Sequence, residues 1–181
     1  MSKLRISLDI DGCICDFYNP YIERFGHPKK DSDISKNVFR VLSKDKEFWL
    51  NLPVINIPTF KVQQYTTARS IPKPWIKKYL EITSMPKAPV YQLLNYCLSK
   101  VPRIKMGGCN LHIDDSLQVF IDCNLNGIPC LLMDNPANQS WGPIGRIYSL
   151  DKYEVEDCYH LFKDTMFPYF KELVRGWKIL N

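Results

Sequence analysis

The feature that most constrains this chain is a short apolar segment that ends in acid: residues 4–8 (LRISL) run directly into Asp9-Ile10-Asp11-Gly12. β-prone residues in a run of this length predict a buried strand, and its C-terminal tip then carries two carboxylates above a glycine turn. Three further runs have the same character, 61–66 (KVQQYT), 111–113 (LHI) and 128–133 (IPCLLM), with a fifth strand at 90–94. Between them lie helical patterns at 74–81, with Pro74 in the first turn, and 116–124, where Leu117, Phe120 and Ile121 are apolar. Strands alternating with helices predict an α/β fold with a parallel, doubly wound sheet. Ligands of such sheets sit in the crevice at the carboxyl ends of the strands, where this sequence keeps its Asp and Thr residues.

Residues 13–60 interrupt the alternation. They combine a helix start over 16–24, a polar stretch at 26–37 and a second helical pattern through Val38, Leu42 and Trp49. This segment reads as a small helical cap inserted after the first strand, within a single domain spanning 1–181. At the other end, 157–177 carries Leu161, Phe162, Met166, Tyr169, Phe170 and Leu173 at nearly helical spacing, with Pro168 inside it. That stripe reads as packing.

Composition narrows the function classes. The chain has 181 residues, 45% of them hydrophobic, enough for one substantial core. Its start shows no apolar run of signal-peptide length, and no stretch approaches the ~18 apolar residues of a membrane span, so a cytoplasmic protein without a membrane partner is expected. Seven cysteines without a C-x-x-C pair suit neither a disulfide framework nor a zinc site. The +5 charge, from 24 basic and 19 acidic residues, is spread without a basic block, so nucleic acid is not the expected partner.

Four elements carry candidate chemistry. Asp9 and Asp11 form one such element: a carboxylate held by a metal can attack phosphorus, and a second carboxyl nearby can protonate the leaving oxygen and later activate water. Asp114-Asp115, after the 111–113 strand, supplies a second acidic tip. Mg²⁺ takes oxygen ligands and keeps several waters, so Asp9, the Asp11 carbonyl and Asp114 suffice to hold it, with Asp115 behind them. Thr67-Ala68-Arg69 follows the second strand, where a hydroxyl and backbone N–H groups can hold phosphoryl oxygens. A lysine to neutralise the transferring group is either Lys100, beside Ser99 at the start of a short helix, or Lys105, nearer Asp114 in sequence.

In order, Asp9-Ile10-Asp11-Gly12, Thr67, a lysine and Ile113-Asp114-Asp115 resemble the four motifs of the haloacid dehalogenase superfamily, over roughly residues 4–133. Within it the chain looks most like the 5′(3′)-deoxyribonucleotidase group and its phage and bacterial relatives. Asp16-Phe17, Phe48-Trp49, Leu52-Pro53, Gly127-Ile128-Pro129-Cys130 and Asn135-Pro136-x-Asn138 add softer matches. The resemblance implies a Rossmann-like core with a short cap, one Mg²⁺ and an aspartyl-phosphate intermediate on Asp9, with Asp11 as acid/base. It also implies that Thr67 and a lysine hold the phosphate of a small substrate, a nucleotide, and that Asp114 is a further metal ligand; a homodimer is compatible with it. Two departures stand out. Ala68 occupies a serine position, and neither Lys100 nor Lys105 has the usual spacing. Substrate choice falls to the cap, whose Phe17, Tyr18, Tyr21, Phe39, Phe48 and Trp49 either stack on a base or form the cap's own core.

Overall fold

A computed structural model of the chain describes residues 3–27, 34, 37–38, 40–68, 71–93 and 99–180. Six strands, β1 (Ile6–Asp9), β2 (Val62–Thr67), β3 (Val90–Gln92), β4 (Leu111–Asp114), β5 (Cys130–Met133) and β6 (Arg146–Ile147), form one sheet in the order β3-β2-β1-β4-β5-β6. Every neighbouring pair is parallel. The fold is therefore α/β, a Rossmann-like sheet whose strand order reverses between β1 and β4. The described helices are α1 (Tyr18–Phe25), α2 (Lys46–Leu50), α3 (Lys73–Ile82), α4 (Val101–Met106), α5 (Leu117–Leu125), α6 (Lys152–Thr165) and α7 (Phe170–Leu180). None among the described residues is long and apolar enough to cross a membrane.

The expected strands fall within one or two residues of the observed ones. β6 has no counterpart in the sequence reading, because two residues are too short for a periodicity. The C-terminal segment also differs from the single pattern expected at 157–177: α6 begins at Lys152, where Asp151 caps it by accepting from the N–H groups of Tyr153 and Glu154. It stops at Thr165, and a 3-10 turn at Phe167–Tyr169 containing Pro168 separates it from α7. Proline inside a helix removes a hydrogen bond and clashes with the preceding turn, so the stripe divides there. Phe162 and Phe170 enter the core, while Leu161 and Tyr169 face outward.

Two local features position the site. Pairing of β1 with β2 is irregular: Ile6 lies opposite Val62, but Ser7 lies opposite Gln64 and Asp9 opposite Thr66, so exposed Gln63 is skipped. Beyond the β1 tip, Cys15 and Val54 form an antiparallel bridge, and the Asp16 N–H donates to the Pro53 carbonyl. The chain between them thus leaves and re-enters the sheet at one point. Within it, Phe17 stacks on Trp49 with centroids 5.5 Å apart, Phe48 meets Trp49 edge-on, and Trp49 Nε1 donates to the Leu42 carbonyl. Phe39 lies outside the described residues.

Candidate active site

Parallel sheets place their strand tips together where the strand order reverses, and here β1 and β4 deliver Asp9 and Asp114 side by side. Both carboxylates are buried, and Lys100 Nζ donates to Asp9 Oδ1 and Asp114 Oδ2 at 2.6 Å each. Lys100 stands at the start of α4; the Val101 N–H donates to Ser99 Oγ, and Ser99 in turn donates to Asp122 of α5. Of the two candidate lysines the fold brings Lys100 to the carboxylates, whereas Lys105 is exposed near the other end of α4 and is absent from the described cleft lining.

Asp115 completes the cluster: one carboxylate oxygen from each of Asp9, Asp114 and Asp115 lies within 4.8 Å of the other two. Gly12 makes this approach possible. Its φ is +70°, and a Cβ there would stand 1.9 Å from Asp115 Oδ2. Any other residue would be strained and would displace the carboxylate. Asn135 Nδ2 donates to Asp115 Oδ2 at 3.1 Å, and Asn138 Nδ2 donates to the Asp115 carbonyl at 2.8 Å. Asp11 turns toward β2 instead, where Thr67 Oγ1 donates to its Oδ2 at 3.4 Å; Thr66 Oγ1 donates to Asp9 Oδ1 at 3.5 Å. Asp11 and Ala68 line the cleft, whereas Arg69 lies outside the described residues.

The electrostatics follow from two buried carboxylates and a half-buried third around one ammonium. Burial, opposed by Lys100 and reinforced by Asp114 and Asp11, raises Asp9 to about 7. Burial also acts on Asp114, but Lys100 and His112 outweigh it and hold that group at about 2. Asp115 is pushed well above the carboxylate range by burial and by the charges of Asp114 and Asp9. Burial disfavours the Lys100 ammonium, yet Asp114 and Asp9 raise its pKa overall. The cluster is thus short of positive charge. Its donors are all carboxylate oxygens, the ligands taken by Mg²⁺, Mn²⁺ and Ca²⁺, so the residues fit a divalent cation of that class.

Beside the carboxylates opens a cavity of about 310 Å³. Its remaining described walls are largely apolar, from Phe17, Ile34, Val38, Trp49, Ala68, Leu93 and Val119, with Ser116 and Gln118 as the exceptions. Of the aromatic residues expected to offer a stacking surface, Trp49 is almost wholly consumed in packing and Phe17 is half-buried. Tyr21 is buried too, and Tyr18 is exposed but absent from the described lining.

Sequence reasoning missed His112 and Gln64, both buried in the central strands beneath the site. The available signal was a polar residue interrupting each buried strand. Comparison with known proteins finds no matching family model, no similar curated protein and no matching solved structure.

Proposed function

We propose that this chain is a Mg²⁺-dependent phosphohydrolase of the haloacid dehalogenase type, cleaving a small phosphomonoester, with a nucleoside or deoxynucleoside monophosphate as the best-fitting substrate. The observation that carries the reading is Lys100 bridging Asp9 and Asp114 at the β1 and β4 tips, with Asp115 beside them and Asp11 at the cavity edge.

In this reading the Asp9 carboxylate attacks phosphorus and forms an acyl phosphate as the ester P–O bond breaks. Asp11 gives its proton to the departing oxygen, then takes one from the water that attacks the acyl phosphate, releasing phosphate and restoring Asp9. Asp9, Asp114 and Asp115, with the Asp11 carbonyl that the resemblance implies, would hold Mg²⁺, which supplies charge neutralisation to the phosphoryl oxygens. Lys100 adds a second positive charge at the same oxygens and keeps Asp9 oriented. Thr67 fixes the Asp11 carboxylate.

The cavity favours a monophosphate whose organic part is uncharged and largely apolar. Lys100 at the carboxylates supplies a cation for one phosphoryl group, which supports a monophosphate. The test is a Mg²⁺-dependent phosphatase screen across mononucleotides, sugar phosphates and phosphorylated oligonucleotides. Asp9→Asn is expected to lower turnover on the best substrate by at least about 10³-fold with the fold intact. Undiminished activity in that variant, or none in the wild type on any phosphomonoester, overturns the reading.

A further inference from the structure

Beneath the strand tips lies a second polar row. Ser7 of β1 is opposite Gln64 of β2 on one side and His112 of β4 on the other. All three side chains are buried. Side chains alternate along a strand, so each sits on the same face as the residue two positions on: Ser7 below Asp9, Gln64 below Thr66, His112 below Asp114. Central strands of a parallel sheet are covered on both faces and ordinarily read as apolar runs, and burying an amide or an imidazole there is unfavourable unless it is bonded. A polar row at this depth therefore calls for a reason other than stability.

The hydrogen bonds supply one. His112 Nδ1 donates to the Ser7 carbonyl at 3.0 Å, which fixes the ring, and Nε2 lies 2.9 Å from Asp114 Oδ2. That same oxygen accepts from Lys100, while Asp114 Oδ1 accepts from the Ser116 N–H at 3.0 Å. On the other side, Gln64 Nε2 donates to Ser7 Oγ at 3.2 Å and to the Arg103 carbonyl of α4 at 3.4 Å. Gln64 Oε1 has no partner among the described residues and lies against Gly107, where a Cβ would stand 1.8 Å from it. The row thus reaches the helix that begins just after Lys100 as well as the Asp114 carboxylate.

We propose that His112 is a positioning residue that sets the affinity of the site for Mg²⁺ by holding Asp114, anchored in turn by the Ser7 carbonyl. The proposal rests on the phosphohydrolase reading, in which Asp114 is a metal ligand. Partners that orient a ligating carboxylate or histidine change metal affinity or activity by about 10–100-fold when removed.

The experiment is calorimetric titration of the intact, metal-free protein with Mg²⁺ alone, alongside circular dichroism and thermal melting. His112→Leu is expected to keep the fold and to bind Mg²⁺ about 10–100-fold more weakly. His112→Gln, whose amide can reach Asp114, is expected to recover most of that loss. His112→Asn, whose shorter amide reaches the Ser7 carbonyl but not Asp114, is expected to stay weak, and it decides the matter if the leucine variant does not fold. Wild-type affinity in His112→Leu or His112→Asn overturns the proposal and leaves the phosphohydrolase reading standing. A wild type that takes up no Mg²⁺ removes both.

Discussion

Helix α5 joins two buried clusters of opposite chemistry. Its first turn touches the carboxylates, through the Ser116 N–H on Asp114; one turn later, Phe120 lies within an aromatic group with centroids 5.3 Å to Trp141, 6.1 Å to Phe162 and 5.4 Å to Phe170. The aromatic cluster gains from leaving water, and its rings meet tilted or edge-on, as their quadrupoles favour. The carboxylate cluster loses solvation, and burial with mutual repulsion makes Asp9 and Asp115 hold their protons more tightly. The difference teaches that burial stabilises one end of the helix and disfavours negative charge at the other.

Three substitutions can break or sharpen that contrast. Phe120→Ala should have the largest effect, a loss of about 3–5 kcal/mol in denaturant unfolding. A loss below about 1 kcal/mol would mean that the aromatic group is not the anchor described. Next, Lys100→Met removes the one ammonium from between two buried carboxylates and should cost roughly 3 kcal/mol in cation-free buffer, with Mg²⁺ restoring part of it. Lys105→Ala, on an exposed position of the same helix, should stay within about 0.5 kcal/mol of wild type. Equal effects for the two lysines would break the assignment.

Asp9→Asn should act with the opposite sign and only at neutral to alkaline pH. Asp9 is raised to about 7 by burial, against Lys100 and with Asp114 and Asp11, from an ordinary value of 3.8. Because the folded state binds that proton more tightly, the associated stability is complete below about pH 4 and is lost as pH rises through 7. The variant escapes the loss. In the absence of divalent cations its melting temperature should match wild type near pH 4 and exceed it by roughly 2–8 °C at pH 8. A difference that is flat across this range would show that the charge on Asp9 is compensated by something other than a metal.

Much of this was legible in the chain. Strand tips are punctuated by acids, so Asp9, Asp11 and Asp114 announced themselves, and Ser99 marked the start of the helix that follows Lys100. The choice between Lys100 and Lys105 was not legible, because it depends on which end of a six-residue helix faces the sheet. Asp115 is the subtler case. Sequence placed it behind the metal ligands, but the missing Cβ of Gly12 lets its carboxylate come up to the cluster. His112 and Gln64 were overlooked because a lone polar residue in a strand has no pattern until its neighbours across the sheet are known.

That last dependence gives the skipped residue in β2 a significance beyond local geometry. Without the irregularity at Gln63, the in-step pairing that begins at Ile6 and Val62 would set Tyr65 rather than Thr66 against Asp9, and Gln64 against Leu8. A one-residue slip moves every following side chain to the opposite face of a strand. The irregularity is therefore matched to one extra residue: deleting Gln63 would leave in-step pairing with the same partners, Gln64 against Ser7 and Thr66 against Asp9, whereas closing the irregularity with Gln63 still present would turn the β2 half of the constellation out of phase with the β1 half. Among related chains, a gap at this point is compatible with the same pairing of strand tips, whereas a gap between Gln64 and Thr66 would shift Thr66 away from Asp9.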